Sequence, residues 1–164
     1  MEARVVSLLN EIGDLDQMIS ILNELLSDDP NSSVLLSGLA QAYYAKGELG
    51  KSEELFERSL LIDDKQVMAL EVIISRDLRE QKYDKALDNL EKLVLIAKNK
   101  NKDFIVSLKE EILYGKHRST KGLEEYNLLC REVINQQNSS VEYKRIQIRC
   151  LRRIGEVDES YKLS

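Results

Sequence analysis

The chain has 164 residues, with 24 Lys and Arg against 29 Asp and Glu, a net charge of −5. Hydrophobic residues make up 43% and charged residues 32%, which excludes a disordered composition, while the acidic balance argues against a general nucleic-acid binder. Seven Gly, one Pro and no Trp are too few turn formers for an all-β sandwich or barrel, so the chain reads as mostly helix. The longest apolar run, Leu93 to Ala97, is far short of the ~20 residues of a membrane span. The first ten residues do not read as a signal peptide, and the expected location is the cytoplasm.

In chain order, the apolar spacing predicts ten helices, near 2–11, 14–27, 33–46, 49–62, 67–80, 83–98, 103–114, 120–135, 141–154 and 157–163. Leu36, Leu39, Ala40 and Tyr43 recur at i, i+3, i+4, i+7, and so do Leu87, Leu90, Val94 and Ala97; each set is one apolar helix stripe. Ser32, Ser33, Ser139 and Ser140 precede helical runs, where a hydroxyl can accept an orphan backbone N–H. Asn31 and Asn138 head glycosylation sequons but read as loop and cap residues. Cys130 and Cys150 lie in helical patterns and are expected to be reduced core residues rather than a disulfide.

A shift of 34 residues superposes Gly13 on Gly47 and Gly47 on Gln81. The same shift aligns Met18, Ser52 and Ala86, then Leu22, Phe56 and Leu90, then Leu25, Ser59 and Leu93. The stretch from Ala42 through Gly47, Ser52, Phe56 and Ser59 to Asp64 resembles the middle and end of a tetratricopeptide repeat. In that family a turn Gly separates two helices, small residues mark two crossing points of the second helix, and a Pro often follows, as Pro30 does here. Gly122 to Tyr126 resembles part of a fourth copy and Gly155 to Ser160 the turn of a fifth. The turn-to-turn spacing places an insertion in the fourth unit, expected in the loop Gln136–Ser140. Met18, Leu25 and Leu93 stand where small residues are usual, which implies looser packing or altered helix crossings. Phe56 and Tyr43 are expected in the core.

The resemblance implies an all-α, right-handed α-solenoid of antiparallel helix hairpins. It would be a single domain over 1–164, with repeats near 1–31, 32–66, 67–101, 102–140 and an incomplete 141–164. It also implies a non-catalytic interaction module that holds a peptide or helix of a partner in its concave groove, with no cofactor and no metal. Mapped onto this chain, the family's contact positions are Ser37, Gln41 and Tyr44, then Glu71, Ser75, Leu78 and Arg79, then Val106, Glu110 and Leu113, and finally Arg145, Arg149 and Arg152. The Lys and Asn clamp with which some members grip a C-terminal carboxylate is absent, since Gly38, Val72 and Ser107 occupy one of its Asn slots.

Other motifs resolve to ordinary structure. Gly50-Lys51-Ser52 ends like a phosphate loop, but Ala45 replaces the required Gly and a helix precedes it. His117, the only histidine, sits between Lys116 and Arg118, which repel a cation, and reads as a turn residue. Paired acids such as Glu53-Glu54 point about 100° apart on a helix and do not face each other. Charge is uneven. Residues 1–30 are strongly acidic, while Arg145, Arg149, Arg152 and Arg153 share one helix face, an arrangement suited to an acidic partner segment. An RNA-reading helical repeat is the alternative function. The short last helix leaves an apolar edge on 141–154, so self-association through the C-terminal end is also expected.

Overall fold

The computed structural model describes residues 6–7, 13–97, 102–120, 124–138 and 140–153. Among them are eight helices and no strand: α1 (Leu15–Asp28), α2 (Ser33–Ala45), α3 (Leu49–Ile62), α4 (Val67–Arg79), α5 (Tyr83–Ile96), α6 (Lys102–Thr120), α7 (Glu124–Asn135) and α8 (Val141–Arg153). The expected helix 157–163, and with it the C-terminal self-association edge, lies outside the described residues, as does most of 2–11.

Helix starts follow the local chemistry. Asp14 Oδ1 accepts from the N–H groups of Asp16 and Gln17, both at 3.1 Å. Ser32 Oγ accepts from Leu35 N at 3.2 Å and Ser140 Oγ from Tyr143 N at 3.4 Å. Each bond satisfies a donor that the first helical turn leaves orphaned. Asn138 is tied into its loop: its Oδ1 accepts from Ser140 N and its Nδ2 donates to Asp103 Oδ1.

The chain divides into two compact units, Met1–Arg76 with Glu91–Ile96, and Asp77–Leu90 with Ala97–Ser164. In the first, α1 packs on α2 and α2 on α3. Met18, Leu22, Leu35, Leu39 and Ala42 form one cluster with Val6, and Phe56 seats among Ala40, Ala69, Val72 and Ile73. The 34-residue recurrence is visible as burial. Met18, Ser52 and Ala86 are buried, as are Leu22, Phe56 and Leu90, and Ser59 and Leu93; only Leu25 of this set is half-buried. Phe56 is fully enclosed, whereas Tyr43 is half-buried, with the Lys51 ammonium 5.0 Å from its ring centroid.

In the second unit, α6, α7 and α8 pack on one another around Leu113, Tyr126, Leu129, Cys130, Val133, Tyr143, Ile146 and Cys150. Two expectations are corrected here. The helix foreseen over 103–114 runs 19 residues to Thr120, against 13 in α2 and α4. The backbone at His117 is therefore helical rather than a turn, and the extra length of the fourth repeat lies in α6 rather than in the 136–140 loop. Gly115 lies inside this helix. It is not a helix stop; a Cβ there would lie 2.3 Å from Tyr83 Cε1, so the helix passes beneath the tyrosine ring only without a side chain. Of the apolar residues expected at the edge of α8, Ile146 and Leu151 are buried rather than uncovered and Ile148 is half-buried, while Ile154 lies outside the described residues.

The three hairpin turns aligned in sequence share one backbone conformation. Gly13 has φ 75°, Gly47 φ 82° and Gln81 φ 58°. That left-handed region costs a non-glycine residue about 1–2 kcal/mol, offset in part because Gln loses less chain entropy on folding than Gly. Gln81→Gly should therefore raise stability by about 0.5–1 kcal/mol, and Gly47→Ala should lower it by about 1 kcal/mol, both read from urea unfolding. The α6 packing yields a sign reversal. Gly115→Ala should cost about 1–2 kcal/mol with Tyr83 present, but in a Tyr83→Ala background it should stabilise by about 0.5–1 kcal/mol through helix propensity alone.

Candidate functional site

The expected contact residues do not all reach solvent. Ser37 and Gln41, one helical turn apart on α2, are half-buried and line a recess of ≈ 240 Å³. Its remaining walls are Val6, Ser33, Val34 and Gly38, with Asp63 and Gln66 from the loop after α3. Tyr44 follows on the same helix, 46% exposed. Gly38, an empty clamp position by sequence, lets Val6 approach: a Cβ there would lie 3.0 Å from both Val6 methyl groups.

The polar walls of the recess fall into two kinds. Gln66 is committed to the fold: its Oε1 lies 2.8 Å from the Ser59 hydroxyl, which also lies 3.2 Å from Ser33 O, and its Nε2 donates to Asp63 O at 3.2 Å. Ser59 occupies the second small position of the repeat, and its size admits the Gln66 side chain. Among the described residues, by contrast, the side chains of Ser37 and Gln41 make no hydrogen bond within the chain. Asp63 uses one carboxylate oxygen, Oδ1, to accept from Lys65 N at 3.0 Å.

The third-repeat candidates are scattered. Glu71 and Leu78 are half-buried; Ser75 and Arg79 are exposed, with the Ser75 hydroxyl donating to Glu71 O at 2.9 Å. Val106 is half-buried.

The fourth and fifth sets are corrected. Leu113 is a core residue, and Glu110 is 1% exposed. Glu110 Oε2 accepts from Arg149 Nε at 3.1 Å, and Oε1 accepts from Tyr126 OH at 3.1 Å and from Arg153 Nη1. Arg149 Nη2 also donates to Ser107 Oγ at 2.9 Å, and the Arg153 guanidinium stacks 3.7 Å from the Tyr114 ring centroid. A buried carboxylate needs such partners because removing them leaves an uncompensated charge. The basic face of α8 is thus split. Arg149 and Arg153 turn inward to Glu110, Arg145 pairs with Glu142 at 3.3 Å, and Arg152 stands exposed. Glu110 was read as a groove contact because the family map assigns faces by position and carries no information on its partners Arg149 and Arg153 on α8. Asp63 and Gln66 were missed because the map draws only on the first helix of each repeat.

Cys130 and Cys150 are both free and buried in the same core cluster. The neighbouring Cys130, together with burial, holds the Cys150 thiol well above the ordinary thiol range, while the neighbouring Cys150 draws the Cys130 thiol down, and burial pushes the Tyr126 phenol up. The described residues contain no group of three or more His, Cys, Asp or Glu that could hold a metal ion. None of their helices is long and apolar enough to cross a membrane.

A thiol is nucleophilic only as its thiolate. Because both thiols are buried, a disulfide reagent at pH 8 reaches them only through local opening, and labelling should be at least ~10³-fold slower in the native chain than in denaturant, in proportion to the opening free energy. Rapid native labelling of either cysteine would contradict this packing.

No curated protein sequence matches the chain. Residues 11–70 match the tetratricopeptide repeat. Among solved structures, MamA 41-end from Desulfovibrio magneticus RS-1 is 15% identical with a TM-score of 0.72, covering 99% of this chain and 88% of that one. A MamA RS-1 double mutant is 16% identical with a TM-score of 0.72, covering 99% and 90%. A kinesin light chain from Podospora anserina with nearly identical TPR-like repeats is 13% identical with a TM-score of 0.61, covering 99% and 89%. At these identities the likeness is one of fold. The chain matches the tetratricopeptide-repeat family in sequence over residues 11–70, and over almost its full length its fold is that of solved helical-repeat structures.

Proposed function

We propose that the chain is a non-catalytic scaffold, a single repeat domain in the cytoplasm, that binds an extended or helical segment of a partner protein along α2. The observation that carries this reading is the recess itself. Ser37 and Gln41 offer unspent donors and acceptors beside the apolar Val6 and Val34, and Tyr44 extends the same helix outward. Concave sites with apolar walls and a few convergent polar groups are where ligands bind. A side-chain amide and a hydroxyl can each give and accept one hydrogen bond with a peptide backbone. The free, buried cysteines are in keeping with a reducing compartment.

Charge weighs against the RNA-reading alternative. The first unit holds fifteen acids and seven bases, a net −8, and such a surface repels a phosphate backbone. The acidic partner segment expected from the arginines of α8 also loses support, since Arg149 and Arg153 are engaged with Glu110.

A photo-reactive residue placed at position 41 should cross-link to one segment of a partner protein. Ser37→Arg, which fills the recess, should reduce that cross-link about tenfold or more. Cross-links that persist unchanged in the Ser37→Arg chain would overturn the α2 site.

A further inference from the structure

Among the described residues, Asp63 is the only charged one lining the recess beside α2. It caps the C-terminal end of α3, where the helix dipole favours positive charge. The first turn of α2 presents the opposite dipole to the same recess through Ser33 and Val34, but one of its orphan donors is already spent on Ser32 Oγ. The formal charges therefore decide the sign. A carboxylate lines the recess, no Lys or Arg among the described residues lines it, and the surrounding unit carries −8.

Resting on the reading of this recess as a partner site, we propose that it takes the ammonium or guanidinium group of a Lys or Arg side chain of the partner segment, with Asp63 as counter-ion. The aliphatic stem of such a side chain matches the Val6 and Val34 wall, while its charged head pairs with the carboxylate; long basic side chains are apolar along the stem and polar at the tip. Asp63 Oδ1 already accepts from Lys65 N, which leaves Oδ2 to meet the cation. Ser37 and Gln41 are then free to hold the adjoining backbone. Because Gln66 is bonded to Ser59 and to the Asp63 carbonyl, the loop that presents the carboxylate is fixed before the ligand arrives, which reduces the ordering cost of binding.

The test uses the full chain and phage-displayed random dodecapeptides. Peptides are selected on the native protein, and those displaced by Ser37→Arg are kept. They should share a Lys or Arg, whose replacement by Gln weakens binding about fivefold at low salt, and less at 0.5 M salt. Asp63→Asn keeps the Oδ1 acceptor for Lys65 N and the helix content by circular dichroism. It should weaken the same peptides by the same factor, and combining it with the Lys→Gln peptide should add nothing further. Peptides that depend on Ser37 but carry no shared basic residue, or that bind Asp63→Asn unchanged, overturn the cation proposal and leave the groove standing. A selection that yields no peptide sensitive to Ser37→Arg overturns both.

Discussion

A helix of 13 or 14 residues carries one apolar stripe and cannot cover it alone. Everything else in this molecule follows from how that stripe is covered. Hairpins stack because a neighbour supplies the missing surface, and close approach requires small side chains where helices cross. Ser52, Ser59 and Ala86 provide that room, and Phe56, Leu22 and Leu90 fill the volume that results. What this packing leaves accessible on α2 is a mixed strip, the exposed Val34 and Tyr44 with the half-buried Ser37 and Gln41, and the recess beside it. The binding surface is thus the remainder of the packing problem, and it is rigid for the same reason the core is.

The two units meet the constraint with different chemistry. The first closes its core with aliphatic and aromatic side chains and uses Gln66 and Ser59 only to pin a loop. The second buries three carboxylates, Asp77, Asp103 and Glu110, with two tyrosines and two thiols among its apolar residues. A buried ion pair is weak evidence of stability, because desolvation offsets much of the attraction. Glu110 instead links three helices through one side chain: it lies on α6, Tyr126 on α7, and Arg149 and Arg153 on α8.

The helices were legible because apolar residues at i, i+3, i+4 and i+7 are a direct imprint of a buried face, and the Ser and Asp caps mark their starts. The 34-residue recurrence located the core residues of α1, α3 and α5 because the same crossing repeats there. Where a residue's role depended on a distant neighbour, pattern reading failed. The spacing ends a helix near 114, and the packing of Tyr83 over Gly115 within a longer helix leaves no periodic signal. The arginines of α8 look like a solvent-facing strip until Glu110 is found beneath two of them. Of the candidate contact residues, Ser37, Gln41 and Tyr44 lie on accessible faces, while Glu110 and Leu113 do not. Asp63 and Gln66 come from a loop, which has no periodicity to read.

The arginines of α8 carry a consequence for alignment. Arg145, Arg149 and Arg153 are spaced by four residues, so sliding α8 by one turn would bring Arg145 and Arg149 to the two places that now face Glu110. Charge pairing alone would accept either setting. Gln147 breaks the tie. Its amide donates to the carbonyls of Val133 and Gln136, both at 3.0 Å, closing the C-terminal end of α7. In the slipped setting Tyr143 would stand there with a single hydroxyl, Glu142 would enter the site of the fully buried Ile146, and Gln147 would replace Leu151 in the core. Burying an unpartnered carboxylate costs several kcal/mol. The Gln147 amide and the exclusion of Glu142 from the core, rather than the arginine pairs with Glu110, set the native alignment.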